Sequence, residues 1–203
     1  MTSTPGRLPR RGLILALGAA VLIAGTLLTS YWLRPPEFRL TALPPGPALS
    51  DFSLIDYDGR PRSLADYRNQ VVVIYFGYVH CPDACPAELF KLDQVMKLLG
   101  PASRQVRVLF ITLDPERDTP QVLKSYVTAF NPAFVGLTGT TVQIDQVAAS
   151  FNVEHAKVPS GEDYAIDHSS ETYVLDARGH LRLRGSAFTR IDDFAHDLKV
   201  LIH

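Results

Sequence analysis

The segment Tyr75-Phe76-Gly77-Tyr78-Val79-His80-Cys81-Pro82-Asp83-Ala84-Cys85-Pro86 holds both cysteines of the chain, four residues apart. It lies where the apolar run Val71–Phe76 gives way to a helical pattern. The chain there must turn from a buried strand into a helix, which commits this region to an α/β arrangement. Such a junction gathers free backbone N–H groups and the positive end of the helix dipole around its side chains. Thiols placed there are expected to lean toward thiolate, the form that binds soft metals and attacks disulfides. Redox or metal chemistry is therefore the expected business of the chain.

Periodicity extends the α/β reading in both directions. Phe52–Ile55 and Arg60–Leu64 flank Asp58-Gly59, a hairpin signal. Leu89, Leu92, Met96 and Leu99 recur at helical spacing before Gly100-Pro101 stops the helix. Val106–Leu113 is a second β-rich run, and Asp118-Thr119-Pro120 reads as an acceptor cap followed by a helix-starting proline. Phe134–Leu137 predicts a short strand, Thr141–Phe151 a helix, Glu171–Leu175 and His180–Arg184 a closing hairpin, and Ile191–Leu201 a last helix. Strands alternating with helices predict one central sheet flanked by helices, a thioredoxin-like α/β domain over residues 51–203.

Ahead of it, Gly12–Leu33 is a mostly apolar stretch without a charged residue, long enough at roughly 20 residues to cross a bilayer. It lacks the small-x-small exit of a cleaved signal peptide. Arg7, Arg10 and Arg11 precede it and Arg34 alone follows closely, so positive-inside asymmetry predicts a cytoplasmic tail over 1–11, a transmembrane helix over 12–33 and an exported remainder. The expected location is the bacterial inner membrane, single-pass, with the C-terminal domain in the periplasm. Pro35, Pro36, Pro44, Pro45 and Pro47 make 34–50 a proline-rich linker, with packing of part of it on the domain as the alternative. A net charge of −1 offers no nucleic-acid surface.

Pro82 and Pro86 are tolerated at a helix start, and Asp83 is well placed as its cap, which puts Cys85 in the first turn and Cys81 just before it. Both sulfurs can then converge on one point, as a disulfide or around a metal that needs further ligands. Of six histidines, His168 stands out in Tyr164-Ala165-Ile166-Asp167-His168-Ser169-Ser170, on the loop that faces the cysteine turn in a thioredoxin-like fold. That loop usually presents a proline and here does not. Two thiolates and one imidazole suit Cu(I). The other histidines read as surface or locally bonded residues; His80 is the one further ligand candidate, expected to point away. Asp114, Glu116 and Asp118 read as helix-capping rather than calcium-binding residues, and Asp56-x-Asp58-Gly59 as a turn.

With Asp114-Pro115-Glu116-Arg117-Asp118-Thr119-Pro120, and Asp167-His168-Ser169 ahead of Tyr173, the cysteine segment resembles the SCO/SenC copper proteins of cytochrome oxidase assembly over roughly residues 51–201. The resemblance implies that Cys81, Cys85 and His168 bind copper as Cu(I) or Cu(II). Asp114 or Asp118 would supply nearby charge or orientation. It also implies a copper chaperone whose partners are cytochrome c oxidase subunit II and another copper chaperone. The alternative is a thiol–disulfide oxidoreductase, with Cys81 and Cys85 as its redox-active pair, that keeps the oxidase's copper-ligand cysteines reduced. That alternative lacks the C-x-x-C spacing, so the enzyme reading is the weaker one. Val79, Ala84 and Asn69-Gln70 depart from the family's usual residues and remove no ligand.

Overall fold

The computed structural model describes residues 18–20, 22–26, 28–29, 37–44, 46, 51–161 and 163–202. The chain divides into two units, Met1–Glu37 and Phe38–His203. In the first, residues 18–20, 22–26 and 28–29 are helical, and the Thr26 and Thr29 hydroxyls donate to the carbonyls of Ile23 and Gly25. Among the described residues no helix is long and apolar enough to cross a membrane. The span expected over 12–33, and the tail before it, lie largely outside the described residues.

In the second unit the strands are β1 (Thr41–Ala42), β2 (Leu54–Asp56), β3 (Pro61–Arg62), β4 (Val71–Gly77), β5 (Val106–Thr112), β6 (Val135–Thr138), β7 (His155–Ser160), β8 (Asp163–His168), β9 (Thr172–Leu175) and β10 (Leu181–Gly185). The helices are α1 (Ala84–Leu99), α2 (Pro120–Phe130), α3 (Thr141–Ser150) and α4 (Ile191–Ile202). The main sheet runs β1-β10-β9-β4-β5-β6-β2-β3, with β4 parallel to β5 and antiparallel to β9. Every residue of β4 is buried, which is why its sequence is apolar throughout rather than alternating.

Successive β4 side chains point to opposite faces, and their neighbours show what covers each. Phe76 meets Phe151, just past α3, at 5.4 Å. Tyr75 meets Phe110, whose ring meets Tyr126 of α2 at 5.7 Å. Gly77, on the Tyr75 side, faces Cys85 of α1. Helices therefore cover both faces, as the alternating pattern predicts.

Two features lie outside that pattern. The hairpin β7–β8 forms a separate two-stranded sheet ending at His168. Its β7 residues are mostly exposed on both sides and include Pro159, so they carry no alternation by which a strand could be read. The other is the start of the compact unit at Phe38, inside the expected linker. Asp197 of α4, fully buried, accepts the backbone N–H groups of Arg39 (2.9 Å) and Leu40 (2.7 Å) and the His196 Nδ1–H (2.8 Å). Leu40 is buried, and Thr41 and Ala42 then pair with Arg184 and Leu183 at the sheet edge.

A buried carboxylate satisfying two backbone donors is hard to replace, because truncation leaves those donors unpaired. Asp197→Ala should lower unfolding stability by about 2–3 kcal/mol in urea titrations and expose residues 39–44 to limited proteolysis. Unchanged stability and unchanged cleavage would show that the clasp does not hold this segment.

Candidate metal centre

The cysteine turn leaves the C-terminal end of β4, where the Leu113 N–H donates to the Gly77 carbonyl (2.7 Å) and the Cys81 N–H to the Tyr78 carbonyl (3.3 Å). Asp83 occupies the cap position of α1, as expected, but its side chain makes no capping bond. The sulfur of Cys81 does that work, accepting the backbone N–H of Cys85 at 3.4 Å. A helix start has spare amides to offer, and here a sulfur takes one of them.

Cys85 is fully buried and Cys81 half-buried, and both are free thiols. Around the Cys85 sulfur stand the Tyr75 hydroxyl, donating at 3.7 Å, and His168 Nε2 at 3.9 Å. Gly77 is required here: a Cβ at that position would lie 2.8 Å from the Cys85 sulfur. Burial pushes the Cys85 thiol up to about 12. This corrects the expected lean toward thiolate at that residue, because desolvation outweighs what a helix start can offer.

His168 closes β8. Its Nδ1–H donates to the Ser169 carbonyl at 3.0 Å, which sets the tautomer and leaves the Nε2 lone pair facing Cys85. Burial holds its pKa below the ordinary histidine value, so the ring is neutral at pH 7. The rings of Tyr75 and Tyr78 stand edge-on to it, at 6.5 and 6.1 Å. The fold thus sets Cys85 against His168, with Cys81 one turn back on the Cys85 amide. Among the described residues, no three His, Cys, Asp or Glu side chains are drawn together tightly enough to hold an ion as they stand. The donors are two sulfurs and a neutral imidazole nitrogen, a soft set.

Asp114 and Asp118 hold the two parts of this site, and both are fully buried. Asp118 is not the cap of α2; Thr119 is, its side chain accepting the Val122 N–H. One Asp118 oxygen instead accepts the Thr112 hydroxyl (2.6 Å) and the Val79 N–H (3.0 Å), tying the cysteine turn to the end of β5. Burial pushes the Asp118 carboxyl above the usual range. Asp114 accepts the Tyr164 hydroxyl (2.8 Å) and pairs with Arg117. Arg117 in turn donates to Asp163 (2.8 Å) and to the Tyr164 carbonyl (3.1 Å), with its guanidinium 3.7 Å from the centre of the Tyr164 ring. Glu116 pairs with Lys157 of β7. One loop therefore grips both the cysteine turn and the hairpin that carries His168.

His80 sits 3.9 Å from the second Asp118 oxygen, and His155, opposite His168 across the hairpin, pairs with Asp145. His180 and His196 lie beside Asp176 and Asp197, and His203 is outside the described residues. Tyr75, Gly77, Arg117 and Tyr164 also build this site, beyond the residues expected of it. Only Gly77 left a signal, a glycine at the end of an aromatic strand just ahead of the cysteines.

Asp118→Ala leaves the Val79 N–H and the Thr112 hydroxyl without an acceptor and should cost about 2–3 kcal/mol. Asp118→Asn keeps one oxygen for both donors and should cost much less. Equal losses for the two variants in denaturant titrations would refute this role for the carboxylate.

A family model described as SCO1/SenC matches residues 42–203. The chain is 49% identical over 133 residues to the protein SCO2 homolog, mitochondrial, of Bos taurus, covering 64% of this chain and 50% of that protein. It is 42% identical over 132 residues to the SCO2-like protein of Rickettsia felis, covering 64% of each. The chain spans about half the length of the mammalian relatives it matches. Among solved structures, Bradyrhizobium japonicum ScoI with copper bound is 34% identical at a TM-score of 0.71, covering 76% of this chain and 99% of that one. The apo Sco1 of Thermus thermophilus is 35% identical at a TM-score of 0.73, covering 81% and 97%. The mixed α/β fold is thus shared with these structures along nearly their whole length.

Proposed function

The chain belongs to the SCO1/SenC family, and from that premise we propose that it is a membrane-anchored copper chaperone for the assembly of a copper centre in cytochrome c oxidase. Copper is its cargo, held by Cys81, Cys85 and His168. The observation that carries this reading is the 3.9 Å approach of the bare His168 Nε2 to the Cys85 sulfur, with the tautomer set by Ser169. Solved relatives from Bradyrhizobium japonicum and Arabidopsis thaliana are described with copper bound, which supports the choice of ion. Soft sulfur ligands match Cu(I), and the half-buried Cys81 is the exposed end of the pair through which an acceptor's thiols would exchange. Subunit II of the oxidase is the proposed acceptor and another copper chaperone the proposed donor.

The layout proposed around this site is a cytoplasmic tail over 1–11, an anchor over 12–33 and a proline-rich tether over 34–50, whose outer part packs on the domain from Phe38. The domain would then work in the periplasm, where thiols meet oxidants. Protease added to intact spheroplasts should remove the domain; protection there, with cleavage only after lysis, would overturn the orientation.

A second reading rests on both cysteines being free: a thiol–disulfide reductase serving the same oxidase cysteines, with Cys81 attacking. The two separate cleanly, because copper binding needs His168 and dithiol exchange does not. In anaerobic competition titrations, Cys81→Ala, Cys85→Ala and His168→Ala should each weaken Cu(I) binding by about a hundredfold or more, at or above the range for outer partners of metal ligands. Affinity kept in His168→Ala would leave only the dithiol reading.

Protons set a further expectation. The Cys85 thiol, pushed up to about 12, is protonated throughout the neutral range, so copper must displace its proton. Apparent affinity should therefore fall about tenfold for each pH unit of acidification per displaced proton. His168, held below its ordinary value, adds a competing proton only at lower pH. An affinity flat between pH 6 and 8 would rule out Cys85 as a ligand.

A further inference from the structure

Tyr75 touches both parts of the site. It is fully buried in the middle of β4, between Phe110 of β5 and Thr172 of β9. Its hydroxyl donates to the Cys85 sulfur at 3.7 Å, and its ring stands edge-on to His168. A phenylalanine would fill the same space against Phe110 without requiring a partner for a buried hydroxyl. Among the described residues, the Cys85 sulfur is the one acceptor found for that hydroxyl.

Resting on the copper reading above, we propose that Tyr75 is a positioning residue that holds the Cys85 sulfur by a hydrogen bond and sets which copper valence the site prefers. The physical chain is short. A metal-bound thiolate carries negative charge, and a hydrogen bond to a charged acceptor is stronger than one to a neutral thiol. Donation into the sulfur lone pairs withdraws density that would otherwise stabilise the higher oxidation state, and hydrogen bonding around a cysteine sulfur tunes the potential of copper sites. In a pocket where the Cys85 sulfur is shielded from solvent, this donor is not replaced by water. Tyr75 therefore favours Cu(I) over Cu(II) and raises the energy of sulfur-to-copper charge transfer.

Tyr126 supplies the control. Its ring packs on Phe110 on the same side of the sheet, but among the described residues its buried hydroxyl has no hydrogen-bond partner. The test compares the copper-loaded full chain with Y75F and Y126F, both of which keep their rings. In Y75F the sulfur-to-copper(II) charge-transfer band should move to lower energy, and the preference for Cu(I) over Cu(II) should fall about tenfold in redox titration. In Y126F neither should move.

A band and a valence preference left unchanged by Y75F would overturn the inference while leaving the chaperone reading intact. Equal shifts in both variants would overturn it too, by assigning the effect to general packing. Absence of any sulfur-to-copper band in the unsubstituted chain would remove the copper reading and this inference together. Ultraviolet resonance Raman of the unsubstituted chain gives a readout that needs no variant. Its tyrosine bands should report a strengthened donor bond on copper loading, and unchanged bands would count against the proposal.

Discussion

Two buried carboxylates on the loop after β5 are the constraint on which the site depends. The cysteine turn leaves β4 and the histidine ends β8, and these elements belong to different sheets. What makes them one site is that Asp118 holds the Val79 N–H while Asp114, through Tyr164 and Arg117, holds the hairpin. Each carboxylate is costly to bury and is tolerated because its donors would otherwise be unpaired. The β4–β5 pairing delivers the loop to this place, since parallel neighbours end at the same edge of the sheet.

A second balance runs through Cys85. The helix start favours charge on its sulfur, while burial among Tyr75, Gly77 and His168 opposes it. Burial wins, so Cys85 carries a proton rather than a negative charge. His168 is tuned the opposite way and is kept neutral, so its lone pair is free. Such a pair is ready for a cation that can displace a thiol proton and is a poor match for hard ions, which seek carboxylate oxygens. Cys81, half-buried, keeps the second sulfur closer to solvent.

The order of strands and helices was legible because β4, α1, β5, α2 and α4 each carry a strong periodic or continuous apolar signal. The cysteine pair and His168 were legible as residue types in recognisable segments. The hairpin β7–β8 was not, because strands exposed on both sides leave no alternation. β1 was not, because two residues among prolines look like linker until Asp197 captures the amides before them. The acidic loop looks locally like a run of capping residues, and the family resemblance adds only that Asp114 or Asp118 lends charge or orientation. Their burial and partners, Val79 and Thr112 for Asp118 and Tyr164 for Asp114, were decided by the tertiary structure.

By itself the sequence determined the α/β alternation, the placing of two thiols at a strand–helix junction and the supply of an imidazole eighty-odd residues later. These follow from local periodicity and turn chemistry, which are written in neighbouring residues. Tertiary structure alone decided which nitrogen of His168 is bare, that Cys85 carries a proton, that Tyr75 touches its sulfur and that Asp114 and Asp118 join the two parts. Those outcomes depend on burial and on contacts between residues distant along the chain, where desolvation and unpaired donors outweigh any local preference.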